Sequence, residues 1–251
     1  MADPNCPKCG GSGWIVAERN GISGAERCHC GGVQRAAQLT EHANIPPLYR
    51  NANLDNFMIP HDNPTAHNAL GHVLNLVRTY TKDFPATDKP GLMFIGEPGT
   101  GKTHLAVAAL QRLIARGFEG VFYDYQNLLN SIKAGYNAAS NTSDREAYQS
   151  AMEAEVLLLD DLGAHRVTDW VEDTVTSIIT YRCNNKKALI ATTNLPDGDA
   201  GMSSIDRSGG KPEYRTTVAD RIGMRARSRL FEMCRIIRMP LVEDYRIKRS
   251  R

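Results

Sequence analysis

The chain has 251 residues, 41% of them hydrophobic, with 30 Lys and Arg against 28 Asp and Glu. That length holds one full α/β domain plus a small accessory module, and the composition is that of a soluble globular protein. The opening MADPNCPKCG has no apolar segment able to act as a signal peptide, and no stretch approaches the ~20 apolar residues that span a bilayer. A membrane role is therefore excluded and a cytoplasmic location expected.

The chain opens on C-x2-C-x18-C-x-C, formed by Cys6, Cys9, Cys28 and Cys30, with glycines at 10, 11, 13, 31 and 32. Closely spaced cysteines in a reducing compartment are metal ligands more often than disulfides, and glycines let the backbone turn around each pair. The four thiolates suit a structural Zn²⁺, with His29 able to replace one of them. Trp14, Ile15 and Val16 read as a short strand between the ligand pairs. Cys183 and Cys234 stand alone and read as small buried apolar residues.

Residues 33–43 carry a helical pattern, after which IPPLYRNANLDNF forms an irregular connector whose two prolines stop the helix. The expected division is a zinc-binding module over 1–44 and a second domain over 45–251. A longer helix is expected from about Asn63, with proline in its first turn and Leu70, Val73, Leu74 and Val77 on one face. Beyond it, five short apolar runs, 92–96, 121–125, 156–160, 188–194 and 235–239, alternate with segments long enough for helices. Buried parallel strands with helical crossovers read this way, so the fold class is α/β. NAASNTS (137–143) has the composition of a flexible loop.

GEPGTGKT (96–103) follows the first of these strands, precedes a helical run and fits the phosphate-loop pattern G-x4-G-K-[ST]. Backbone N–H groups from Gly96, Glu97, Pro98, Gly99, Thr100, Gly101 and on to His104, proline excepted, would wrap the phosphates of ATP at the positive end of a helix. Lys102 would reach the β- and γ-phosphates, and the Thr103 hydroxyl would bind Mg²⁺. VLLLDD brings Asp160 to the end of a central strand as a direct or water-mediated Mg²⁺ partner, and Asp161 next to it could act as the general base toward water. Asn194, ending the following strand, can hold that water against the γ-phosphate.

The last 31 residues, 221–251, carry ten Arg or Lys against three Asp or Glu, a charge of +7 that leaves −5 for the rest. A basic end suits polyanions, although a solvated tail accounts for part of it. Within it, MRARSRLFEM places Arg225 and Arg229 on one face of a helix and Arg227 on another. Arg229 is the candidate arginine finger toward a neighbouring subunit's nucleotide, Arg225 is grouped with the nucleotide contacts, and Arg227 suits a surface salt bridge.

GEPGTGKTHLA, VLLLDDLG, ATTNLP, RSRLFEM and EDYR, in that order, resemble the AAA+ ATPases that load bacterial replicative helicases, the DnaC/DnaI family including its phage members. The similarity covers roughly residues 45–251. The resemblance implies a five-stranded parallel sheet of order 5-1-4-3-2 with little or no lid, an ATPase that self-associates, and a DnaB-type helicase and single-stranded DNA as partners. It also implies that Arg246 in EDYR contacts phosphates, and that 128–136 is a helix turned toward DNA, offering Lys133 and Tyr136, with Thr168 lining the same channel. The pair Asp160-Asp161 departs from the Asp-Glu of many AAA+ proteins and implies slow hydrolysis. A transposition helper of the IstB type shares nearly every motif, and a nucleic-acid adaptor with structural nucleotide is a third reading. The zinc head is expected to dock the helicase, or else nucleic acid.

Overall fold

The computed structural model describes residues 5–19, 22–60, 63–135, 142–198, 216–242 and 244–245. The head begins with two antiparallel strands, β1 (Trp14–Arg19) and β2 (Ile22–Arg27), with Trp14 opposite Arg27 and Val16 opposite Ala25. Helix α1 (His29–His42) starts four residues earlier than its apolar pattern suggested, so Gly31 and Gly32 lie in its first turn rather than in a loop. Helix α1 packs on the next domain, Ala43 is fully buried there, and the Ala43 carbonyl accepts the Phe122 N–H at 2.8 Å. Tertiary anchoring thus compensates for two residues of poor helix propensity.

After a single 3-10 turn at Pro47–Tyr49 comes α2 (Pro64–Asp83). Asn63 caps α2 by accepting the Ala66 N–H at 3.0 Å, Pro64 occupies a first-turn site with no intrahelical donor to lose, and Leu70, Val73, Leu74 and Val77 are buried. Then follow β3 (Gly91–Ile95), α3 (Lys102–Ala115), β4 (Gly120–Asp124), α4 (Tyr125–Gly135), α5 (Thr142–Glu153), β5 (Val156–Asp160), α6 (Asp169–Asn184), β6 (Ala188–Thr193), α7 (Val218–Ile222), α8 (Met224–Met233) and β7 (Cys234–Arg238). Helix α5 takes up the end of the expected 137–143 loop, whose first five residues lie outside the described residues.

The sheet β3–β7 is wholly parallel, in the order β7-β3-β6-β5-β4. Counting only its own five strands in chain order, this is 5-1-4-3-2, the order the resemblance implies. The inner strands β3, β5 and β6 read as continuous apolar runs because both of their faces are buried, whereas the edge strand β7 carries the exposed Arg235 and Arg238. Leu92, Phe94, Leu158 and Ile190 face α2 and α3, while Met93, Ile95, Leu159 and Ala191 face α4 to α8. Among the described residues no helix is long and apolar enough to cross a membrane.

Arg182, near the end of α6, is fully buried. Its guanidinium donates to the carbonyls of Ala151 at 2.9 Å, Met152 at 3.2 Å and Glu155 at 3.3 Å, and also to that of Ala188. Burial pulls it down to about 10, which leaves it charged at neutral pH. One cation thereby satisfies four carbonyls where α5 ends and two strands begin. Replacing it with leucine removes every donor at once, so Arg182→Leu is expected to cost about 3–5 kcal/mol of stability, readable as a lowered urea midpoint. Cys234 matches its expected burial, which pushes its thiol up to about 12. Cys183 does not: it is half-buried, beside Arg229 and Glu232.

Candidate nucleotide site and cysteine cluster

All five strands point the same way, so the phosphate loop after β3, the carboxylate ending β5 and the amide after β6 emerge on one edge of the sheet. Gly99 and Gly101 have φ of 75° and 90°, and a Cβ on Gly101 would sit 2.6 Å from the Phe57 ring. Both positions need glycine for conformation and for space. Lys102 is buried, and its ammonium donates to the carbonyls of Gly96 and Glu97, each at 2.8 Å. Of the loop, Pro98 through His104 line the cleft. Gly96 and Glu97 are not among the lining residues. Gly96 backs onto Met239, and the pair serve as a rest for the lysine.

Thr103 Oγ1 donates to Asp160 Oδ1 at 2.9 Å and Oδ2 at 3.3 Å. Burial raises the Asp160 carboxyl above its ordinary range. Hydroxyl donation from Thr192 and Thr103 opposes the shift, and the charges of Asp161 and Asp124 add to it. A divalent cation would relieve that strain, and the pair of hard oxygens fits one: their 2.9 Å separation is close to the ~3.0 Å edge of an octahedron with ~2.1 Å bonds. Asp161 has φ 57°, and Asn194 Nδ2 donates to its Oδ1 at 2.9 Å. Thr103, Asp160, Asp161 and Asn194 are thus one constellation facing the phosphate loop.

Sequence reasoning missed the other half of the cleft. Its volume is about 1170 Å³, and Leu48, Phe57, Ile59, Leu70, Val242 and Tyr245 form an apolar wall beside the loop. The connector read as irregular supplies Leu48 and Phe57, with Ile59 just after it; Leu70 comes from α2, and Val242 and Tyr245 from the C-terminal segment. The apolar content of the connector is close to that of the whole chain, so nothing in its sequence marked it out. His104 ties the two halves: its Nε2 lies 3.0 Å from the Asn53 carbonyl and its ring 5.5 Å from that of Phe57.

Arg225 and Arg229 are exposed on α8 and are not among the residues lining the cleft. Arg229 pairs with Glu232 at 2.8 Å. Arg227 is no surface bridge. It contacts Asp197, whose side chain is 2% exposed, at 2.7 Å and stacks 4.6 Å above the Phe231 ring, joining α8 to the loop that follows Asn194. Lys133 is exposed in the last turn of α4, whereas Thr168 caps α6 by accepting the Val171 N–H at 3.3 Å. Tyr136 and Arg246 lie outside the described residues.

In the head, the Sγ atoms of Cys6, Cys9, Cys28 and Cys30 all lie within 4.8 Å of one another, with Cys6–Cys28 at 3.7 Å and Cys9–Cys30 at 3.4 Å. A tetrahedral zinc with ~2.3 Å bonds separates its sulfurs by about 3.8 Å, so the cluster fits that ion. Against desolvation, the N–H of Gly13, the neighbouring thiols of Cys30 and Cys6, and the N–H of Gly11 bring the Cys9 thiol down to about 7. That favours the thiolate a metal needs.

Residues 77–222 match the family of IstB-like ATP binding proteins, more than half of the chain. Among curated proteins, the replicative helicase loader DnaC of Buchnera aphidicola subsp. Acyrthosiphon pisum is 26% identical over 173 residues, covering 69% of this chain and 67% of that protein. The phage-like element PBSX protein XkdC of Bacillus subtilis is 24% identical over 219 residues, covering 84% and 78%. The chain thus spans about two thirds of the length of the helicase loader it matches. Among solved structures, the DnaC helicase loader superposes with a TM-score of 0.60 at 32% identity, over 78% of this chain and all of that one. With the phosphate loop, the Asp pair and the 5-1-4-3-2 sheet in place, the chain belongs to the IstB-like ATP-binding family of AAA+ proteins, in its DnaC-type loader branch.

Proposed function

We propose that this protein binds and hydrolyses ATP in order to load a DnaB-type replicative helicase onto single-stranded DNA. The observation that carries the reading is the constellation of Thr103, Asp160, Asp161 and Asn194 on the phosphate loop, with Arg229 exposed on a separate helix. Residues 1–44 would dock the helicase and 45–251 form the ATPase, with the seam at Ala43, which is packed in the ATPase core.

Lys102 leaves its two carbonyls for the triphosphate, and the apolar wall takes the base. Magnesium, held by Thr103 and Asp160, would supply charge neutralisation at the β- and γ-phosphates. Asp161, oriented by Asn194, accepts the proton of a water whose oxygen forms a bond to the γ-phosphorus as the bond to ADP breaks. Arg229 from a neighbouring copy neutralises charge on the transferring group, which makes cleavage depend on assembly. Arg225 and Arg246 would add phosphate contacts, and Lys133 and Tyr136 would meet DNA, the tyrosine by stacking on a base. The short side chain of Asp161 suits a slow switch rather than a motor.

The transposition-helper reading shares the family match, but the four-cysteine head and the 32% identity to a DnaC loader favour the helicase. Mixing the full chain with a DnaB-type helicase, circular single-stranded DNA and ATP is expected to leave the helicase on the circle, with ADP produced in step. Binding of DNA and turnover of ATP without any association with the helicase would overturn the assignment.

A further inference from the structure

Strand β6 lies between β3, which leads into the phosphate loop, and β5, which ends in Asp160. Thr103 and Asp160 therefore meet across β6, and what β6 carries at that level matters. Leu159 pairs with Ala191, which sets Asp160 beside Thr192. Thr192 is fully buried in a strand whose preceding residues, Leu189, Ile190 and Ala191, are all apolar and buried. Valine has the same shape and would suit such a site; a hydroxyl is tolerated only if its bonds are made.

Both are made to the carboxylate pair. Thr192 Oγ1 donates to Asp160 Oδ1 at 2.6 Å and accepts the Asp161 N–H at 3.0 Å. The contacts continue one residue on, where the Leu162 N–H donates to the Thr192 carbonyl at 2.8 Å and Thr193 Oγ1 to the Leu162 carbonyl at 2.8 Å. The turn held in this way places Asp161 in the left-handed region, φ 57°, uncommon among residues other than glycine though adopted by aspartate more readily than most.

We infer that Thr192 is a positioning residue for nucleotide hydrolysis: one hydroxyl orients the Asp160 carboxylate and, through the Asp161 amide, fixes the turn that aims the Asp161 carboxylate at the cleft. Thr103 also donates to Asp160, and a hydroxyl whose oxygen lone pair binds a metal keeps its proton to give. Thr192 is a second donor to the same carboxylate, and it alone also holds the Asp161 amide. The inference rests on reading the cleft as a magnesium–nucleotide site, not on the helicase.

Thr192→Val and Thr192→Ser in the full chain separate orientation from packing. The first readout is affinity for a fluorescent ATP analogue, measured in EDTA and then in magnesium. Thr192→Val is expected to match the native protein in EDTA and to lose about tenfold or more of the gain that magnesium brings. In turnover, its kcat is expected to fall roughly 10–100-fold, with KM for magnesium–ATP rising by the same factor as the magnesium-dependent affinity that is lost. Thr192→Ser, which keeps the hydroxyl, is expected to restore both. If the valine variant melts too early to assay, Thr192→Ala carries the same expectation. A full magnesium-dependent gain in the valine or alanine variant, or a serine variant as impaired as valine at an equal melting temperature, would sink the inference. Because the binding readout needs no helicase, it stands or falls separately from the loader assignment.

Discussion

Arg229→Ala is expected to lower ATP hydrolysis stimulated by single-stranded DNA by about 1000-fold or more, with nucleotide affinity nearly unchanged. The side chain is exposed on α8 and is not among the residues lining its own subunit's cleft, so removing it takes nothing from nucleotide binding there. To act on a neighbour it must leave Glu232, an exposed pair three residues along the same helix. Such pairs contribute at most about 1 kcal/mol, whereas a 1000-fold rate effect corresponds to about 4 kcal/mol, so releasing the pair is affordable. The decisive measurement mixes two inactive proteins. Arg229→Ala retains a sound site, Lys102→Ala retains a sound finger, and together they should regain part of the native rate. No recovery on mixing, or native turnover by Arg229→Ala alone, would rule out cleavage in trans. Arg227→Ala serves as the contrast, because its loss leaves the buried Asp197 carboxylate short of its main partner and should lower stability.

Removing metal from the head is expected to unfold residues 5–28 and leave the ATPase domain intact. Two six-residue strands form a hairpin that is marginal alone, and this one has little core: Trp14 is 52% exposed and Val16 84%, and among the described side chains of 5–28 those buried are the candidate ligands Cys6 and Cys28. Structural zinc contributes about 10–16 kcal/mol in small peptides, far more than such a hairpin can supply. The far end of α1 is different, since Ala43 is held by the ATPase core. Chelation should therefore release one zinc per chain and remove exchange protection from 5–28, while the main melting transition stays in place. Cys6→Ser should purify without metal and show the same pattern. A metal-free chain with its hairpin amides still protected would disprove a structural zinc.

Sequence by itself determined the five sheet strands, the start of α2 and the motifs that carry the chemistry. The five strands fall within a residue or so of the apolar runs that announced them, most plainly for β3, β5 and β6, whose burial on both faces leaves no polar position to confuse their limits. Asn63 and Pro64 start α2 where their capping chemistry requires, and the phosphate loop, Asp160 and the four cysteines follow from spacing alone. Tertiary structure decided what depends on strand order and on packing between distant segments. The end of α1 is anchored at Ala43 on the next domain, and the apolar wall of the cleft forms where the connector, α2 and the C-terminal segment meet. Arg227 finds Asp197 thirty residues away, and Thr192 becomes the support of both aspartates only because β6 is inserted between β3 and β5. Local periodicity carries no information on which strand lies beside which, and a side chain's partner across the sheet is set by that choice.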